Sequence, residues 1–355
     1  MSSSPRRVLV VDDSAFMRRM ASQIIEASGE FSVAGTARNG YDALKQIHAL
    51  EPDIVTLDVD MPELDGLSAL GYIMSETPRP VVMLSAGTTS TGHEAAFRAL
   101  ELGAVDFVLK PSGPISLDIE RIADRLLGAL RAASVANPAG LRMLPRRATN
   151  GVAAPVDASR ATAAVVIASS TGGPRALAAL VPQLARDLPA AVFIVQHMPA
   201  GFTKSMARRL DAVCHLAIDE AVHGEAVVNG RVYVAPGGQH MTVVNGQDGA
   251  AIGLEQSPPV WGVRPAADVL FRSAAIAFGR MTVAVVLTGM GRDGADGARA
   301  IRAAGGRTLV QDRESAAIFG MPQATIQLAG ADRIASLAEI GPAISELLGA
   351  VQHVP

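Results

Sequence analysis

The 355-residue chain is 49% hydrophobic and 18% charged, with a mean hydropathy of +0.28, which excludes global disorder and predicts two or three domains of roughly 150 residues each. Its 31 basic and 34 acidic side chains leave a net charge of −3, which argues against nucleic-acid binding by whole-protein electrostatics. The single cysteine, Cys214, excludes an intramolecular disulfide, and no apolar run approaches the roughly 20 residues that span a bilayer. The VLVV run near the N-terminus is too short for the core of a signal peptide, so the sequence reads as cytoplasmic, with no direct membrane insertion.

Residues 1–130 alternate short apolar runs with amphipathic stretches. VLVV (Val8–Val11), FSVAGTA (Phe31–Ala37), IVTL (Ile54–Leu57), VVML (Val81–Leu84) and DFVL (Asp106–Leu109) predict five strands. Between the first two, Ser14–Ala27 has helical periodicity that places Phe16, Met20, Ile24 and Ala27 on one face. Regular strand–helix alternation predicts a parallel sheet covered on both sides. Residues 131–160 lose any sustained period and scatter prolines and arginines, so they read as a linker whose first residues finish a helix. A second α/β region occupies 161–355. Its expected strands are VVIA, Ala191–Gln196, Arg231–Ala235 and Thr282–Thr288, and its expected helices are Arg175–Ala185, Thr203–Leu210, Ala266–Phe278 and Gly294–Ala303.

In the first region, polar residues fall at the strand ends. Asp12 and Asp13 follow the first strand, Asp58 ends the third, Ser85 the fourth, and Lys110 the fifth. The carboxyl ends of parallel strands converge on one edge, where ligands bind. Carboxylates there can hold Mg²⁺, Asp58 can attack phosphorus, and Lys110 and Ser85 can contact phosphoryl oxygens. The structural alternative is helix capping by Asp13 or Ser14.

The Asp12–Asp13 pair, DVDMPELDG around Asp58, VVMLSA around Ser85 and DFVLKP ending in Lys110–Pro111 resemble a response-regulator receiver domain. That resemblance implies a flavodoxin-like (βα)5 fold and Mg²⁺-dependent phosphotransfer from a histidine kinase to Asp58. It also implies that Ser85 and Phe107 report phosphorylation, and that a cis bond precedes Pro111.

In the second region, VVIASSTGGP runs from a buried strand into adjacent hydroxyls and glycines. Ser170 is central in ASSTG, a variant of the strand–turn–helix pattern G-x-S-x-G, and the helix that follows presents its positive end to developing charge. A serine nucleophile needs a base and an orienting acid. Of His197, His215, His223 and His240, His197 is best placed because it follows the strand AVFIV, and His240 is second. TVAVVLTGMGRDGADG carries the candidate acid, Asp293, with the Met290 N–H as a candidate oxyanion donor. STGGP lacks the lysine of a P-loop, and no Cys/His cluster has zinc spacing, so no metal is expected for hydrolysis.

ASSTGG, QHMPAGFTKSMARRL, RPAADVLFRSAA, VVLTGMGRDG and AIFGMPQA are similar to the catalytic domain of the chemotaxis protein-glutamate methylesterase family. The resemblance implies a Rossmann-like, parallel-sheet serine hydrolase in which Ser170, His197 and Asp293 form the catalytic set. It implies hydrolysis of glutamate methyl esters on methyl-accepting chemoreceptors, deamidation of receptor glutamines, and no cofactor for hydrolysis. Ala168–Ser169 replaces the family's more usual glycine–alanine, and GGQHM replaces a more polar segment before His240. A complete phosphoacceptor site fused to a complete hydrolase leads us to expect the receiver to restrain the esterase until Asp58 is phosphorylated. Two other readings are the same hydrolase in a non-chemotactic receptor pathway and a docking regulator without catalysis.

Overall fold

The computed structural model describes residues 5–85, 90–110, 119–137, 159–247 and 249–352. The chain divides into two units, Met1–Met143 and Leu144–Pro355.

The first unit alternates β1 (Arg6–Val11), α1 (Ala15–Ala27), β2 (Phe31–Ala37), α2 (Gly40–Leu50), β3 (Ile54–Asp58), α3 (Gly66–Glu76), β4 (Val81–Ser85), α4 (Ser90–Leu102), β5 (Asp106–Leu109) and α5 (Ile119–Ser134). The strands form one parallel sheet in the order β2-β1-β3-β4-β5, the flavodoxin-like order. β3 and β4 are buried along their whole length, as expected of central strands covered on both faces. The expected strands all form. The buried stripe of α1 is Met20, Ala21 and Ile25, with Phe16 half-exposed, so the expected apolar face is rotated about one residue around the axis. Four apolar residues at helical spacing did not distinguish between two overlapping stripes. The bond before Pro111 and residues 138–158 of the expected linker lie outside the described residues.

The second unit runs β6 (Ala164–Ser169), α6 (Gly173–Leu180), β7 (Ala191–Gln196), α7 (Phe202–Asp211), β8 (Ala217–Glu220), β9 (Arg231–Val234), β10 (His240–Gly246), β11 (Gly249–Glu255), α8 (Ala267–Phe278), β12 (Thr282–Val286), α9 (Ala295–Ala303), β13 (Arg307–Gln311), α10 (Gly320–Leu328), β14 (Arg333–Ala335) and α11 (Ile340–Gln352). Among the described residues its main sheet is parallel throughout, in the order β14-β13-β12-β6-β7-β9-β8. The chain winds outward from β6 through β7, then returns to β6's other side with β12. That reversal is the switch point where ligands bind in open α/β sheets. β10 and β11 form a separate antiparallel hairpin, and β10 packs against α8. Phe193, Tyr233 and Phe271 fill the core on that side, with the Phe193 and Tyr233 rings stacked at 5.4 Å.

α6 begins two residues before the expected Arg175 and ends at Leu180 rather than Ala185. Pro182, lacking an N–H, turns the chain into a short 3₁₀ segment, Val181–Gln183. The hairpin and the short strands β8, β13 and β14 were outside the expectation. β14 has three residues, too few for any period to register.

Candidate active site

The receiver-like edge comes first in the chain. Asp12, Asp13 and Asp58 each offer an oxygen within 4.8 Å of the others, with Asp12 and Asp58 buried and Asp13 exposed. Lys110 Nζ lies 2.7 Å from Asp12 Oδ2 and 2.7 Å from Asp58 Oδ2. Burial pushes the Asp58 carboxyl up to about 6, opposed by the hydrogen bond and charge of Lys110 and reinforced by the charge of Asp12. Burial would lower Lys110, but the two carboxylates outweigh it and hold the ammonium above its ordinary value. Three clustered carboxylates are hard oxygen donors of the kind Mg²⁺ takes.

Ser85 is buried at the end of β4, and the Lys110 N–H donates to its carbonyl at 2.8 Å, which ties the ends of β4 and β5. Phe107, half-buried, pairs in register with Met83. The α1 cap is Ser14, whose Oγ accepts from the Met17 N–H, so Asp13 is not needed for that task. Gly66, the last residue of DVDMPELDG, has no room for a side chain: a Cβ there would lie 1.9 Å from the Asp58 carbonyl oxygen.

At the second edge, the strand register does the positioning. Ser169 and Gln196 are partners at the ends of β6 and β7, so Ser170 and His197 are the next residues on neighbouring strands. His197 Nε2 lies 2.7 Å from Asp293 Oδ2. With Nε2–H donating to the carboxylate, Nδ1 is the ring nitrogen left to accept a proton. The His197 side chain is 12% exposed and that of Asp293 only 2%, which keeps the pair largely out of water.

Asp293 sits in a cage of main-chain donors. Its Oδ2 also accepts from the Ala267 N–H at 2.6 Å, and its Oδ1 accepts from the N–H groups of Asp268 at 2.9 Å and Gly294 at 3.0 Å. Burial would raise its carboxyl, but His197 and these donors outweigh burial and hold it below the ordinary carboxylate range. Asp268 makes the reciprocal move, accepting from Gly294 at 3.0 Å and Gly297 at 2.7 Å. Each aspartate thus satisfies the free N–H groups at the start of the other's helix, locking α8 to α9. Asp296 lies in the first turn of α9 and pairs with Arg292 and Arg299.

The loop after β12 lies against the serine turn. The Ser170 N–H donates to the Thr288 carbonyl at 3.0 Å. A Cβ on Gly289 would fall 2.8 Å from Ser170 Cβ and 2.2 Å from Met321 Sδ, so only glycine fits there. Met290, the candidate oxyanion donor, follows immediately. Its side chain is half-exposed.

Gln196, to which the sequence assigned no role, and His240, the second candidate for the base, organise this edge. Gln196 is buried; its Nε2 donates to the carbonyls of Ser170 at 3.0 Å and His197 at 3.2 Å, and its Oε1 accepts from Ser169 Oγ at 2.7 Å. The hydroxyl next to Ser170 is therefore committed to structure. His240 is fully buried, with Nδ1 accepting from the Ala266 N–H at 3.1 Å and Nε2 3.2 Å from the Pro258 carbonyl. Both of its ring nitrogens are engaged, so it fastens the two ends of a loop and is unsuited to proton transfer. A polar residue at a strand end signals the position of Gln196, but only the folded register shows which carbonyls it reaches.

Residues 165–344 match the family model for the CheB methylesterase, and residues 8–120 that for the response regulator receiver domain. The chain is 44% identical over 357 residues to the protein-glutamate methylesterase/protein-glutamine glutaminase of Symbiobacterium thermophilum, covering 97% of this chain and 98% of the relative. It is 46% identical over 345 residues to the protein of the same name from Geobacillus kaustophilus, covering 97% and 99%. The crystal structure of the Thermotoga maritima CheB methylesterase catalytic domain is similar at 42% identity and a TM-score of 0.51, covering 52% of this chain and 98% of that one.

Proposed function

This chain belongs to the CheB methylesterase family, and from that premise we propose that Ser170, His197 and Asp293 carry its hydrolysis of protein glutamate methyl esters. The observation that carries the assignment is the strand register, which sets Ser170 and His197 directly after the paired ends of β6 and β7, with Asp293 hydrogen-bonded to Nε2 of the imidazole. In this reading His197 Nδ1 takes the Ser170 proton as Oγ attacks the ester carbonyl carbon. Asp293, held ionised by its donors, stabilises the imidazolium, and the Met290 N–H donates to the oxyanion. Collapse expels methanol, which leaves with the proton from His197. Water, deprotonated by His197, then attacks the acyl carbonyl; the imidazolium returns that proton to the departing Ser170 Oγ, and a glutamate carboxylate is released. A glutamine side chain would follow the same course with ammonia as leaving group, matching the glutaminase activity in the relatives' names.

Phosphorylation of the receiver regulates this activity. In the proposal Asp58 accepts the phosphoryl group from a histidine kinase, Asp12, Asp13 and Asp58 hold Mg²⁺, and Lys110 and Ser85 contact the phosphoryl oxygens. Bound Mg²⁺ would supply positive charge that offsets the charge building on the transferred group. Methyl-accepting chemoreceptors are the proposed substrates and the cytoplasm the proposed location. No helix among the described residues is long and apolar enough to cross a membrane. A docking regulator without catalysis is not favoured, because the hydrogen-bonded His197–Asp293 pair has no use in such a protein.

Methanol release from methylated receptor membranes, with and without a small-molecule phosphodonor, tests the proposal. Release should depend on Ser170 and rise with the phosphodonor only when Asp58 is present. No release from the wild-type chain would overturn it.

A further inference from the structure

The only tryptophan of the chain, Trp261, stands where the packing gives little reason for one. Val260 and Val263 exchange both main-chain hydrogen bonds, at 3.1 and 3.0 Å, around a two-residue turn. Both turn residues have positive φ, 54° at Trp261 and 77° at Gly262, the pattern of a type I′ turn. The first position of that turn suits asparagine, aspartate or glycine, and a bulky residue there carries backbone strain. Yet the side chain is 50% exposed, so the core gains little in return.

The ring is nevertheless held firmly. Its Nε1–H donates to Asp268 Oδ2 at 2.8 Å, and the Arg292 guanidinium lies over one face at 4.5 Å from the ring centroid. The loop that bears it is pinned at its base: His240 joins Pro258 to Ala266, and Arg264 Nη1 donates to the carbonyls of Gln256 and Ser257. One partner of the ring, Asp268, belongs to the Asp293 cage, and the other is Asp293's neighbour in the chain. Arg292 precedes Asp293 in the chain, and Asp268 shares the Gly294 N–H with it. The loop that bears the half-exposed indole and the loop that bears the half-exposed Met290 are thus tied together around Asp293, the partner of His197.

We infer that Trp261 is a specificity-determining residue: a rigid platform that contacts the polypeptide segment carrying the ester, not the ester itself. The inference rests on the methylesterase reading above. A fixed, half-exposed indole gives a polypeptide a large apolar contact at small entropic loss, which is why tryptophan dominates the energetics of protein contacts. A free amino-acid ester has no such polypeptide segment and would ignore the platform.

Trp261→Gly tests this, because glycine adopts φ of 54° without strain and the turn is kept. On methylated receptor fragments the variant should lose about tenfold or more in kcat/KM, chiefly through KM, and on glutamate γ-methyl ester no more than about threefold. A second reading uses the lone indole as its own reporter in the full-length Ser170→Ala protein. Its emission should shift to the blue as a peptide containing glutamate methyl ester is added, and stay unmoved by the free amino-acid ester. Equal losses on both substrates would overturn the inference, since Trp261 would then act through Asp268 on Asp293. So would unchanged kinetics, or an emission maximum that ignores the peptide. A wild-type chain that hydrolyses neither substrate would instead overturn the esterase reading, and this inference with it.

Discussion

Asp58 and Asp293 are both buried aspartates at the carboxyl edges of parallel sheets, yet their surroundings drive them in opposite directions. Asp58 shares one lysine with Asp12, and burial pushes its carboxyl up to about 6. Asp293 receives three main-chain N–H groups and an imidazole, and its carboxyl is held below the ordinary range. The number of donors decides the sign, because each N–H aimed at a carboxylate favours its charged form while burial disfavours it. An under-satisfied carboxylate such as Asp58 suits a group that must receive a cation and a phosphoryl group. A saturated one suits a permanent anion beside an imidazolium.

The largest effects expected are on the saturated side. Ser170→Ala should lower kcat by several orders of magnitude, whereas Ser169→Ala, which removes only the hydroxyl on Gln196, should lower it by less than about tenfold. If Ser169→Ala were the inactive variant, the assignment would be off by one residue. Asp293→Asn should lower kcat about 10⁴-fold, as expected for the acid of such a triad, without unfolding the domain. A loss under tenfold would mean that the donor cage, not the charge, is what His197 needs.

The contrast with Asp58 can be sharpened by pH. The Asp58 carboxyl is raised from 3.8 to about 6, so between those values the folded receiver keeps a proton that the unfolded chain has released. Stability therefore falls as pH rises through that window, and above it the buried charge costs on the order of 3 kcal/mol. Asp58→Asn should raise the melting temperature of residues 1–143 at pH 7 and change it little near pH 4, while abolishing the response to phosphodonor. Thermal scans showing the same shift at both pH values would break the charge argument. The smallest effect is expected from chelation: EDTA should block phosphorylation by acetyl phosphate yet leave hydrolysis by residues 161–355 unchanged. A fall in that hydrolysis would place a metal at the second edge.

Local chemistry made much of this legible in the chain. Apolar runs such as VVML and AVFIVQ form strands because their burial on both faces needs no partner pattern to be known in advance. Asp12, Asp58 and Lys110 were marked by their places at strand ends, His197 by following the strand AVFIV, and Ser170 and Asp293 by glycine turns after strands. What the sequence could not supply was anything fixed by register or by contact between distant segments. The reason that His240 takes no part is of this kind. His197 follows β7 and His240 begins β10, and only folding shows that the first meets Asp293 across 96 positions while the second spends both nitrogens on the main chain. The roles of Gln196, Asp268 and Trp261 depend likewise on which carbonyls and N–H groups the packed sheet and helices bring within 3 Å or so. A residue type states what chemistry is available. Which partner receives it is a three-dimensional fact, because hydrogen bonds are short and directional while the chain segments that satisfy them are far apart in sequence.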